Sequence, residues 1–162
     1  MIPAETPFLT TPAQSEALWL LGGLYTFLAT GKQTEDRYTL VEVRGPSGFV
    51  IPVHFHEREH EGFYVAEGHA TIFLRGEGSE ASAGAFAFAP AGVEHAFRLD
   101  VEDTRLLLFI TPGAAGHEGM FREMGEPAKT RALPPPGVLP DPEHLAAVAA
   151  SHGTRIVGPP PG

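Results

Sequence analysis

Nineteen glycines and sixteen prolines punctuate this chain of 162 residues. They cut it into pieces too short for long helices and well sized for β-strands. The apolar runs between them predict strands at 19–21, 24–29, 38–44, 50–56, 62–66, 71–75, 79–82, 85–89, 95–99 and 104–111. "EGH" at 67–69 and "RGEGS" at 75–79 read as hairpin turns. Strands at this spacing predict an all-β sandwich or small barrel. After Pro112 the pattern changes. Met120, Phe121 and Met124 fall at helical spacing and stop at Gly125, with Pro127 following. A proline-rich connection then leads to a short helix capped by Asp141, with Pro142 in its first turn and Gly153 beyond its end.

The length suits one domain, 1–162, with an arm at 1–45, a barrel core at 46–112 and a C-terminal helical segment and tail at 113–162. A net charge of -9, with eleven scattered Lys and Arg, argues against nucleic acid or an anionic membrane as partner. There is no cysteine, so any bound metal must rest on His and carboxylate. The longest apolar run, "ALWLLGGLYTFL" at 17–28, is too short to span a bilayer and reads as two buried strands broken at Gly22 and Gly23. Acidic Glu5 and Glu16 precede it and the first basic residue is Lys32, unlike a secretory leader. The expected location is cytoplasmic.

One segment conflicts with a simple strand. Residues 48–68, "GFVIPVHFHEREHEGFYVAEG", hold three histidines and four glutamates among apolar residues. Unpaired polar atoms are costly to bury. His54 and His56 are two apart, so on a strand they share one face while Phe55 takes the other. Glu61, Phe63 and Val65 share a face of the next strand, and His95, Phe97 and Leu99 share a face of a later one. Two adjacent imidazoles need something to bind, and three histidines with a glutamate suit a divalent transition metal. Glu57, Arg58 and Glu59 are expected to form a solvated turn, and His60 to be solvated or to lie behind the ligands. His69, His117, His144 and His152 read as ordinary surface or core histidines.

These residues resemble the two motifs of the cupin family, G-x5-H-x-H-x3/4-E-x6-G and G-x5-P-x-G-x2-H-x3-N. Gly48, His54, His56, Glu61 and Gly68 fit the first throughout; Gly84, Pro90, Gly92 and His95 fit the second, where Leu99 replaces the usual Asn. The resemblance implies a double-stranded β-helical (jelly-roll) barrel with short C-terminal helices. It also implies one divalent metal held by His54, His56, Glu61 and His95, the four that strand parity selects; Mn, Fe, Co, Ni, Cu and Zn all suit such donors.

The flanking stretches "EALWLLGGLYTFLATGKQTEDRYTLVE", "HEGMFREMGEPA" and "HGTRIVGPPPG" are similar to single-domain bacterial quercetin 2,3-dioxygenases. That similarity implies an oxidoreductase opening the heterocyclic ring of a flavonol with dioxygen, giving a depside and carbon monoxide. Glu61 is then the expected general base. Phe63, Phe97 and Leu99 are the expected apolar substrate walls. The alternatives are a non-catalytic cupin that binds a small ligand or metal, and another ring-cleaving dioxygenase or isomerase. The resemblance further implies a homodimer, with the N-terminal arm as the candidate for exchange.

Overall fold

The computed structural model describes residues 6–162, so the first five residues of the expected arm lie outside the described residues. The chain runs β1 (Ala17–Leu20), β2 (Gly23–Ala29), α1 (Gly31–Thr34), β3 (Thr39–Arg44), β4 (His54–His56) and β5 (His60–Glu67). It continues through β6 (His69–Leu74), β7 (Glu77–Ser82), β8 (Phe86–Ala89), β9 (His95–Leu99) and β10 (Arg105–Thr111). The last elements are α2 (His117–Met124), β11 (Glu126–Pro127), α3 (Pro142–Ser151) and β12 (Thr154–Ile156). Two antiparallel sheets result, in the orders β11-β1-β2-β3-β10-β5-β8 and β12-β4-β9-β6-β7. They face each other as a jelly-roll barrel.

Alternation along the strands fills the space between the sheets. Val41, Val43, Phe63, Val65, Leu106, Leu108 and Ile110 come from the larger sheet, and Ala70, Ile72, Phe97 and Leu99 from the smaller. Burial of this kind contributes about 25 cal/mol per Å² of apolar surface. Met120 and Phe121 of α2 and Ala149 of α3 join the same core, so both helices lie against the barrel by their apolar stripes.

Most predicted strands occur, with informative differences. The predicted strand 50–56 is reduced to His54–His56, preceded by an isolated bridge from Val50 to Arg98. Pro52 has no N–H to give a ladder, which explains the interruption. The predicted turn 75–79 is tighter than expected. Arg75 and Gly76 alone make it, both at positive φ, and β7 begins at Glu77. That backbone matches the two-residue hairpin turn whose twist suits antiparallel strands. Asp141 caps α3 as predicted, accepting from the His144 N–H at 3.1 Å, with Pro142 following. α1, β11 and β12 were not predicted; the last two are short, and pairing with other strands makes them strands.

Candidate metal centre

β4 delivers His54 and His56, β5 delivers Glu61 and β9 delivers His95, with His54 directly opposite His95 in the ladder. One ligand atom from each of the four lies within 4.8 Å of the others. All four are buried, as parity requires.

The outer nitrogen of each ring is occupied. His54 Nδ1 donates to the Pro52 carbonyl at 2.9 Å, and His95 Nδ1 to the Val93 carbonyl at 2.8 Å. His56 Nδ1 pairs with the Thr154 hydroxyl at 2.7 Å. A carbonyl can only accept, so the contacts of His54 and His95 assign the proton to Nδ1 and leave the Nε2 lone pair facing inward. The Thr154 hydroxyl can donate or accept, and so fixes no tautomer for His56. His56 Nε2 and His95 Nε2 lie 3.0 and 2.8 Å from Glu61 Oε2. Burial, reinforced by neighbouring histidines, lowers His54 well below the usual histidine range. Burial, followed by His117, lowers His56 to about 4. Inward lone pairs and a carboxylate thus converge, and a cation is the partner that satisfies all of them. The donors fit a divalent transition ion, and the acceptors behind the rings are those that usually orient metal-bound imidazoles.

Two expectations are corrected here. Glu59 was placed in a solvated turn with Glu57 and Arg58; those two are exposed, but Glu59 is buried. His117 was read as an ordinary histidine, and it too is buried, its ring 3.9 Å from that of His56. Its Nδ1 lies 2.6 Å from Glu59 Oε2 and its Nε2 3.6 Å from Glu61 Oε2. Burial alone would lower its pKa, but Glu61 and Glu59 overcome this and raise it to about 9. Burial would raise both carboxyls, yet His117 and its neighbours hold Glu59 below the ordinary range and Glu61 well below it. Both signals lay in the pattern. Glu59 has the parity of Glu61, and His117 precedes Met120 and Phe121 by one helical turn, on the same stripe.

His60 is exposed; its Nδ1 accepts from the Ala91 N–H at 3.0 Å and its ring stacks on Phe88. His69, His144 and His152 lie outside the cluster, His69 pairing with Asp100 and His152 with Glu123. Phe63, Phe97 and Leu99 pack in the core. Phe63 meets His95 edge-on at 5.5 Å, but the apolar cavity beside the ligands is built from other residues. That cavity, about 60 Å³, reaches His54 and is walled by Leu20, Tyr25, Met120, Phe121, Met124 and Thr154. The inward faces of β5 and β9 are sealed by sheet-to-sheet packing, so the arm and α2 supply the wall instead.

The shifts give a pH profile for the chelated protein. His117 binds its proton more tightly folded, so its contribution is complete below about 6.5 and disappears as pH rises through about 9. His56 has the opposite sign: its contribution is complete above about 6.5 and lost as pH falls toward about 4. Glu61 and Glu59, both depressed, also lose theirs on acidification. In chelator, the denaturant midpoint should peak near neutrality and fall on both sides. A midpoint that keeps rising above pH ~9 would contradict the His117 assignment.

Comparison with known proteins agrees with this fold. Residues 41–111 match the family model described as the cupin domain. Quercetin 2,3-dioxygenase of Bacillus subtilis (strain 168) is 30% identical over 128 residues, covering 79% of this chain and 37% of that protein. The chain therefore spans little more than a third of the curated relative it matches. KdgF from Halomonas sp. superposes with a TM-score of 0.59 at 22% identity, over 66% of this chain and 94% of that one. A variant of Bacillus subtilis oxalate decarboxylase gives 0.61 at 18%, over 73% and 33%. At these identities the two structures speak for the fold. With both histidine motifs in place on a jelly-roll barrel, residues 41–111 of the chain carry a cupin domain.

Proposed function

We propose that this protein is a metal-dependent dioxygenase that opens the heterocyclic ring of a flavonol such as quercetin, with His54, His56, Glu61 and His95 as ligands. The observation that carries this reading is the convergence of those four side chains beside an apolar cavity, in a chain 30% identical to a quercetin 2,3-dioxygenase over 79% of its length. A bound divalent ion would lower the pKa of the substrate's 3-hydroxyl and leave room for substrate and dioxygen. Glu61 is the carboxylate nearest the histidine Nε2 atoms and takes that proton as general base. Tyr25 keeps its phenol protonated, because burial and then the Glu61 charge push its pKa up. Leu20, Met120, Phe121 and Met124 exclude water and offer flat apolar surface.

One observation favours a second reading. A cavity of about 60 Å³ is well below the roughly 300–1,000 Å³ typical of sites for drug-sized ligands. A flavonol enters only if the unbranched Met120 and Met124 swing aside, whereas a smaller ligand needs no such movement. The alternative is therefore a cupin that binds a smaller ligand, with or without turnover. Elemental analysis followed by quercetin bleaching and oxygen uptake under air tests both. Metal-loaded protein that consumes no oxygen with any flavonol overturns the dioxygenase reading.

The same proposal includes a cytoplasmic location; among the described residues, no helix is long and apolar enough to cross a membrane. It also includes a homodimer. The arm's strands already pair within the chain, β2 with β3 and β11 with β1, so exchange is not needed to complete a sheet. Instead, Tyr64 lies opposite Phe86, and Gly62 opposite both Phe88 and Phe109, on one outer face beside the edge strand β8. These four aromatics are 42–63% exposed, an apolar patch of the kind that marks an interface. Phe86→Glu with Phe88→Glu should halve the mass measured by light scattering while leaving metal content unchanged. A native protein that is already monomeric would remove the dimer.

A further inference from the structure

Glu59 and His117 are fully buried, ionisable and unnecessary for a four-ligand centre, yet the chain invests specific structure in them. Glu59 Oε2 accepts from the first backbone N–H of α2, that of His117, at 3.3 Å as well as facing the ring at 2.6 Å. A carboxylate at a helix N-terminus is favoured by the helix dipole. Gly116 makes this approach possible: a Cβ there would lie 2.7 Å from Glu59 Oε1 and run into the His152 carbonyl. Phe121, one turn along, meets the His117 ring edge-on at 5.4 Å and fixes its plane. The far nitrogen is thereby directed at Glu61, 3.6 Å away. His117 stands outside the four-residue ligand cluster but forms a separate close group with His56 and Glu59.

We propose that His117, oriented by Glu59, is a positioning residue that fixes the Glu61 carboxylate in the metal centre and so ties the docking of α2 to the geometry of the site. This rests on the reading of Glu61 as a ligand. The alternative role for the pair is structural only, a clasp between α2 and the turn before β5.

Two substitutions separate the roles. Asn at 117 places an amide near the position of Nδ1 and keeps the link to Glu59; Gln places one near the position of Nε2 and keeps the link to Glu61. The probe is Co(II), bound to the purified chain and followed by its visible absorption and its dissociation constant. His117→Asn should shift the band and weaken Co(II) by about 10- to 100-fold, the usual cost of losing a group behind a ligand, whereas His117→Gln should stay close to native. Glu59→Ala, which removes the acceptor that orients Nδ1 and leaves all four candidate ligands in place, should shift the band as His117→Asn does, and decides the matter if neither histidine variant folds. A native band in His117→Asn, or a Gln variant as impaired as Asn, overturns the proposal in favour of the clasp. A native band in Glu59→Ala overturns it as well. Because Co(II) binding needs no flavonol, these outcomes stand even if quercetin proves not to be the substrate.

Discussion

On the proposed dioxygenase reading, Glu61→Gln should retain much of its metal while losing quercetin turnover by about a hundredfold or more, the scale expected for removal of a general base. Gln keeps the size and one acceptor oxygen of Glu61, and three neutral imidazoles still converge from β4 and β9. Three such ligands hold a divalent ion in many sites. What disappears is basicity and the negative charge that faces His56, His95 and His117. His95→Ala should behave differently and lose metal and activity together, because β9 contributes only that one ligand. The measurements are metal content and single-turnover rates on the same preparations. Near-native quercetin cleavage by Glu61→Gln would reduce Glu61 to a replaceable ligand.

Chelation should lower the melting temperature by on the order of 10 °C. The candidate ligands bridge the two sheets, since β4 and β9 belong to the five-stranded sheet and β5 to the seven-stranded one. An ion present at a thousand times its dissociation constant stabilises the folded state by about 4 kcal/mol. For a chain of this size each kcal/mol moves the midpoint by about 2–4 °C. The same chelator should leave the melting temperature of a His54→Ala, His56→Ala double variant unchanged. Native protein with the same midpoint in chelator and in metal would show that the sheets hold together without the centre.

The four candidate ligands were legible because they obey a strand period of two and a fixed spacing. His54, His56, Glu61 and His95 need only local geometry to face inward, and the structure brings all four together. Turn chemistry was equally local: a positive-φ Arg75-Gly76 pair and an Asp141 cap require nothing beyond their neighbours in sequence. Glu59 and His117 are different: strand parity and helical spacing place them on inward faces, but a carboxylate in a charged turn and a lone histidine stay buried only where a partner from another element meets them. Their pairing joins residues 58 positions apart and exists only because α2 folds back over the barrel mouth.

Likewise, the apolar alternation determined by itself that Phe63, Phe97 and Leu99 would face inward, but not whether inward meant core or cavity. Sheet-to-sheet packing made it core, and the docking of the arm and α2 placed Tyr25, Met120 and Phe121 beside His54 instead. Strand faces are set by the backbone of each strand alone. The wall of a cavity is set by which distant segments cover its opening, and that is a property of the assembled fold.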